Sequence, residues 1–255
     1  MYLFRCFLNG FSLLILGILP YILLAIVMQG MSKYLWSVPN SRRSCDSFIY
    51  FTAPGVMIHE LGHIFFCLLF RHEILEVKLF SPDRSGTLGY VSHRYNLRSY
   101  YQRIGNFFIG TGPIWFGVIV IYLLSWFLLP SGMMTAGGSF SDQLSAFLSG
   151  FFMKEFWCSW KTLLWIYLCF SITTHITLSG ADLEGAKDGV IFMVILIFIL
   201  SFILGWCGPW EEALIQLELQ ILTTIISMMV SLFIVLILPI FLFRRFSSKL
   251  PAWRK

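Results

Sequence analysis

His59 and His63 stand four residues apart, with Glu60 beside the first of them, in the stretch "PGVMIHELGHIFFCLLF" at residues 54–70. On a helix, residues i and i+4 share one face a turn apart. That spacing lets two imidazole nitrogens reach one Zn²⁺ at about 2.0–2.1 Å. Glu60 then lies beside the metal, placed to take a proton from water and pass it to a leaving amine, as in the HExxH zinc hydrolases. The surroundings sharpen this reading. The chain has only five histidines, and ionisable groups are rare in apolar spans unless they pair or bind something. The competing reading is a histidine pair hydrogen-bonded across a helix bundle, with Glu60 as its partner.

A hydrolytic zinc needs a third protein ligand and an open position for water. The metzincin extension fails, because Phe66 and Leu69 occupy the positions that would be glycine and histidine. Glu73 and Glu76 follow closely and read as solvated charges in a basic loop. A better source is "THITLSGADLEGAKDG" at 174–189, which gathers His175, Asp182, Glu184 and Asp188. Ser179 is placed to cap a new helix with Asp182 in its first turn, where an anion is favoured. Asp182 is thus a candidate ligand or a capping residue, with His175 and Glu184 as alternative third ligands. His175 also reads as a residue that orients a ligand from behind, or as a satisfied core histidine. Glu184, Lys187 and Asp188 read mainly as interfacial charges.

The elements that must hold these residues are apolar helices. Of the 255 residues 58% are hydrophobic and 12% charged, and the mean hydropathy is +0.79. Soluble domains carry about twice that charge, so the expected class is an all-α integral membrane protein. A spanning helix needs about 20 mostly apolar residues. Six runs qualify, at roughly 7–28, 48–70, 107–129, 156–178, 188–206 and 221–243. Arg71, Lys78, Arg84, Arg94, Arg98 and Arg103 in one loop, and five basic residues in the tail, put both termini in the cytoplasm. Trp36, Trp126, Trp157, Trp160, Trp206 and Trp210 then fall at outer span ends, an interface that indole favours. The net charge of +5 is spent on orientation, so no nucleic-acid partner is expected. Cys67 and Cys169 read as small buried hydrophobes. A disulfide among Cys45, Cys158 and Cys207 has no supporting pattern.

In order and spacing these segments resemble the site-2 protease family of intramembrane zinc metalloproteases. "HELGH" is followed by "EVKLFSPDRSGTLGYVSH", which reads as strand, turn and strand, a short β-hairpin between the second and third spans. Then comes "FFIGTGPIWFG", with Gly112 and Pro113, and the fourth span ends in "SGADLEG". The likeness covers roughly residues 48–190, the expected catalytic core of a single polytopic domain spanning 1–255. Two accessory spans and a basic cytoplasmic tail complete it over 191–255. The chain departs from the family in having Asp182-Leu183-Glu184-Gly185 for the usual Leu-Asp-Gly. It also has Trp115 and Phe116 where an asparagine often follows the Gly-Pro pair.

The resemblance implies zinc held by His59, His63 and Asp182, with Glu60 as general base and acid. His175, Gly112 and Pro113 would stand behind the ligands or against the substrate. The implied reaction is hydrolysis of a peptide bond in or near a transmembrane segment of another membrane protein, within the lipid bilayer of the cell membrane. Such a bond must first be unwound, and unpaired backbone in lipid is costly unless protein supplies partners. The hairpin over 76–93 can do so by strand addition, or it is a surface loop anchored by Tyr90, Tyr95, Tyr100 and Tyr101. Two other functions compete. One is a peptidase that trims prenylated carboxyl termini, with Glu155, Glu184 or Glu211 as third ligand. The other is a non-catalytic metal-binding or transport protein, although the two halves of the chain show no repeat.

Overall fold

A computed structural model describes residues 42–83, 86–131, 133 and 140–207, together with 29, 30 and 33. The first and sixth apolar runs, residues 208–220 and the basic tail lie outside these residues. Seven helices and one small sheet are described: α1 (Arg42–Phe51), α2 (Ala53–Leu69), β1 (Glu73–Lys78), β2 (Tyr90–Arg94), α3 (Tyr100–Leu128), α4 (Phe140–Gly150), α5 (Lys154–Cys158), α6 (Trp160–His175) and α7 (Gly180–Cys207). The protein is therefore mostly helical with a two-stranded antiparallel sheet.

The second apolar run is broken at Thr52, between α1 and α2. Pro54 opens α2, and a proline cannot donate the amide that would continue α1 into it. Thr52 still donates both its amide and its hydroxyl to the Phe48 carbonyl, over 2.9 and 2.8 Å. The helix that follows carries His59, Glu60 and His63.

The hairpin forms where the sequence places it. Glu73 pairs with Arg94 and Lys78 with Tyr90, with an irregularity between Ile74 and Glu76. Beyond the strands the loop stays narrow, since Ser81 and Asp83 donate their amides to Leu88 and Thr87. Gly86 supplies the left-handed turn with φ of 92°.

Helix α3 is central, with α2 and α7 packed along it and α6 against both α2 and α3. Ser99 caps it, its hydroxyl accepting from the Gln102 amide. Between α3 and the α5–α6 segment lies one core of Ile121, Leu129, Phe156, Trp165, Cys169 and Ile172. There the buried Trp165 indole donates to Ser125 Oγ over 2.9 Å. A second core of Phe66, Cys67, Phe70 and Ile109 joins α2 to α3 and reaches Ile74 and Val91 of the hairpin. Cys67 and Cys169 are buried and free, and Cys158 is exposed and free.

The fourth and fifth runs do not form two elements that reverse. The chain turns by 71° between Trp160–His175 and Gly180–Leu196. Asp182 and Ala186 then meet α3 at Gly110, Gly189 meets it at Phe107, and Phe192 meets it at Tyr100 and Arg103. Helix α7 thus runs antiparallel to the first turns of α3, towards the hairpin. It begins at Gly180, before the expected start of the fifth run, because Ser179 caps it there. Among the described residues only Tyr100–Leu128 is long and apolar enough by itself to cross a membrane; α6 and α7 qualify as a bent pair, and Ala53–Leu69 is a shorter apolar helix.

Candidate metal centre

His59 and His63 project from one face of α2 with their Nε2 atoms 3.3 Å apart. The other ring nitrogen of each is committed. His59 donates Nδ1–H to the His175 carbonyl over 2.8 Å, and His63 donates Nδ1–H to the Ile109 carbonyl, also over 2.8 Å. A carbonyl only accepts, so both Nδ1 atoms carry the hydrogen and the neutral rings present bare Nε2 lone pairs.

Both carbonyls can accept these bonds because of where they sit. His175 ends α6, and the last carbonyls of a helix have no intrahelical partner. Ile109 is inside α3, but the residue four positions on is Pro113, which has no amide hydrogen to offer. Pro113 therefore acts on the site through the Ile109 carbonyl. Gly112 acts through packing: a Cβ there would lie 2.9 Å from the Gly62 carbonyl, so the pair lets α2 and α3 approach backbone to backbone.

Asp182 arrives from the first turn of α7. Its Oδ1 lies 3.2 Å from His63 Nε2 and its Oδ2 3.7 Å from His59 Nε2. Ser179 and Asp182 cap the helix reciprocally. The Ser179 amide donates to Asp182 Oδ2 over 2.6 Å, and the Asp182 amide donates to Ser179 Oγ over 3.2 Å. The capping and ligand readings of Asp182 are thus compatible in one residue. Helix α7 comes this close because residue 110 is glycine, where any Cβ would strike the Asp182 carbonyl.

The three donor atoms lie within 4.8 Å of one another. Two lone pairs and a carboxylate facing one another repel unless a metal ion sits among them or a proton occupies one ring nitrogen. Two imidazoles and one carboxylate suit Zn²⁺, and also other first-row divalent ions. The donor set therefore fits a metal, and the backbone bonds behind both histidines are the orienting contacts such ligands require.

Glu60 is buried at 6% exposure and lines the same cleft of about 570 Å³ as the three donors. The hairpin forms the opposite wall through residues 86–91 and His93. Gly89 makes room for Glu60, since a Cβ there would lie 3.0 Å from Glu60 Cγ. The cleft is open enough to admit a further ligand beside the donors.

His175 reaches the site through its backbone. Its ring turns away and bonds Thr52 Oγ1 over 2.9 Å, fixing the end of α6 against the start of α2. Glu184 is exposed and paired with Lys187, away from the donor triangle. Asp188 accepts from Tyr95 Oη over 3.1 Å, tying the hairpin's exit to α7. Glu155 is exposed in α5, and Glu211 lies outside the described residues.

Three residues of the neighbourhood went unnoticed in the sequence. Asn106 is 5% exposed and lines the cleft one turn before Ile109. Its signal was an amide set at the start of an apolar run, flanked by Gly105 and Phe107. His93 lines the cleft from β2, and its Nδ1 lies 3.1 Å from His72 Nδ1. His72 Nε2 in turn donates to the Gln102 carbonyl over 2.9 Å. Burial, with His72 and His63 nearby, pushes the His93 pKa down to about 4, and burial lowers that of His72 as well. Strand alternation was the missed signal for His93, since Gly89, Val91 and His93 share one face.

Comparison of the chain with protein-family models, curated proteins and solved structures gave no match.

Proposed function

We propose that this protein is a zinc-dependent intramembrane endopeptidase of the site-2 protease type, cutting a peptide bond in or near a transmembrane segment of a membrane-protein substrate. The observation that carries the reading is the convergence of His59 Nε2, His63 Nε2 and the Asp182 carboxylate, with both Nδ1 hydrogens committed to backbone carbonyls. Glu60 in the same cleft turns a binding site into a hydrolytic one. Zinc held by His59, His63 and Asp182 would supply the Lewis acidity that makes water a nucleophile at neutral pH. Glu60 takes the proton from the attacking water and delivers it to the departing amine. The hairpin edge beside the cleft offers backbone partners to a substrate strand.

The membrane setting is supported by the apolar surface. Phe65 and Leu68 of α2, Leu123 and Phe127 of α3, and Ile191, Ile195, Ile199 and Ile203 of α7 are all well exposed. Soluble monomers rarely expose apolar patches of more than a few hundred Å². The sequence expectation of six spans with both termini cytoplasmic requires the chain to reverse between the fourth and fifth apolar runs, whereas α6 and α7 join through a 71° turn. Cysteine-accessibility mapping on either side of that turn tests whether they are one bent span or two.

The donor set by itself also serves a non-catalytic metal-binding or transport protein, and Glu60 is what favours the hydrolase. Elemental analysis of the detergent-solubilised full chain, after zinc has been supplied, tests the site. We expect about one zinc per chain in wild type, lost in folded His59→Ala, His63→Ala and Asp182→Ala. Zinc kept in Asp182→Ala shows that Asp182 is not a required ligand. No zinc in wild type refutes the proposal.

A further inference from the structure

The hydrogen-bond chain on the hairpin fixes more than the position of His93. The Gln102 carbonyl accepts from His72 Nε2, so His72 carries its hydrogen there, and its Nδ1 is a lone pair while the ring is neutral. That lone pair faces His93 Nδ1 at 3.1 Å, so His93 must donate from Nδ1. The hydrogen of His93 is thereby spent, and its Nε2 is left as a lone pair. Among the described residues no protein group bonds that nitrogen, and His93 lines the cleft shared by Glu60 and the metal donors.

His72 is held firmly enough to impose this state. It is 5% exposed, and its ring stacks on Tyr95 with centroids 5.1 Å apart and planes 20° from parallel. Tyr95 is in turn bonded to Asp188 of α7. Asn106, buried in the wall of the same cleft, has no side-chain hydrogen bond to the described residues.

Resting on the peptidase reading above, we propose that His93 is a substrate-binding residue whose Nε2 accepts a hydrogen bond from a backbone N–H of the bound peptide, with His72 as the positioning residue that sets its tautomer. This assigns the hairpin wall a side-chain acceptor as well as its backbone edge. It also excludes His93 as a donor to a developing oxyanion, because its only hydrogen points away from the cleft. Asn106 offers both a donor and an acceptor, so the two side chains together match the N–H and C=O of an extended peptide unit. The substrate class that follows is a chain with an unpaired, unsubstituted backbone amide beside the bond to be cut. A proline, or an intact helical turn, at that position is excluded.

The test uses the zinc-supplied full chain in detergent, labelled with ¹⁵N at its five histidines, and two probes. These are a dipeptide hydroxamate and its analogue methylated on the backbone nitrogen. The imidazole spectrum should show His93 protonated at Nδ1 and His72 at Nε2. The hydroxamate should shift the His59, His63 and His93 Nε2 signals, and the methylated analogue should leave His93 unmoved. One hydrogen bond corresponds to about a two- to tenfold loss of probe affinity in His93→Leu. His72→Phe should give a similar loss and release the His93 tautomer, whereas His72→Gln, which keeps an acceptor, should restore part of both. A hydrogen found on His93 Nε2 overturns the inference. So does equal binding of the two probes while His59 and His63 respond; in both cases the metal site stands. A hydroxamate that disturbs neither His59 nor His63 overturns the peptidase reading and this inference with it.

Discussion

Pro113 and His63 are linked through one atom, the carbonyl oxygen of Ile109. The proline cannot bond it from within α3, and the histidine does so from α2 at 2.8 Å. A proline inside a helix costs about 3 kcal/mol relative to alanine, and here that cost leaves an acceptor for a histidine of the candidate metal centre.

Replacing Pro113 by alanine restores an amide hydrogen that competes for the Ile109 carbonyl. The helix should gain stability while His63 loses its orienting partner. Changes behind a metal ligand typically lower affinity about 10–100-fold. Competition against a graded set of chelators reads this directly. Unchanged zinc affinity would show that the carbonyl bond is incidental.

Glu60→Gln separates holding the metal from moving the proton. The amide fits the same buried space, so zinc content should match wild type. Cleavage should fall by a factor of about 10² to 10⁴, the usual contribution of a general base. Turnover at the wild-type rate on a fluorogenic transmembrane peptide would remove Glu60 from the mechanism.

Gly110 tests the approach of α7. A Cβ at this position strikes the Asp182 carbonyl and comes within 2.8 Å of the Ala186 methyl. Gly110→Val should push α7 from α3 and carry Asp182 out of reach of the histidines. Zinc should be lost with helical circular dichroism largely kept. Retained zinc would show that Asp182 is not needed as a ligand.

The hairpin should loosen in acid. His93 titrates at about 4 in the folded chain against about 6.5 when exposed. The fold therefore holds the neutral ring, and the unfolded hairpin binds the proton more readily. Its contribution is intact above about pH 6.5 and declines as pH falls towards 4. Proteolysis within the 79–89 loop should rise over that window, and His93→Gln should flatten the profile.

Much of the site was legible because it is local. An i, i+4 pair needs only a helix to place both rings on one face, and Ser179 with Asp182 needs only a capped turn. The hairpin was legible from its alternation and its glycines. What could not be read was how backbone serves the site. That the His175 carbonyl and not its ring meets His59 depends on where α6 stops. That Pro113 bears on His63 depends on two helices lying side by side. The turn into α7 was misjudged because hydropathy reports apolar length and is blind to direction. His93 was overlooked because its meaning comes from a hydrogen on His72, nine residues after His63 and twenty-one before His93.

The reciprocal cap at Ser179 and Asp182 has a bearing on assembly. The carboxylate that closes the first turn of α7 is the same one that faces the two histidines, so nucleating that helix and completing the ligand set are a single event. During synthesis the histidines emerge more than a hundred residues before their partner. On the proposed function, a nascent chain would hold zinc only weakly until the start of α7 has formed, and hydrolysis would wait until the parts that confine it are in place.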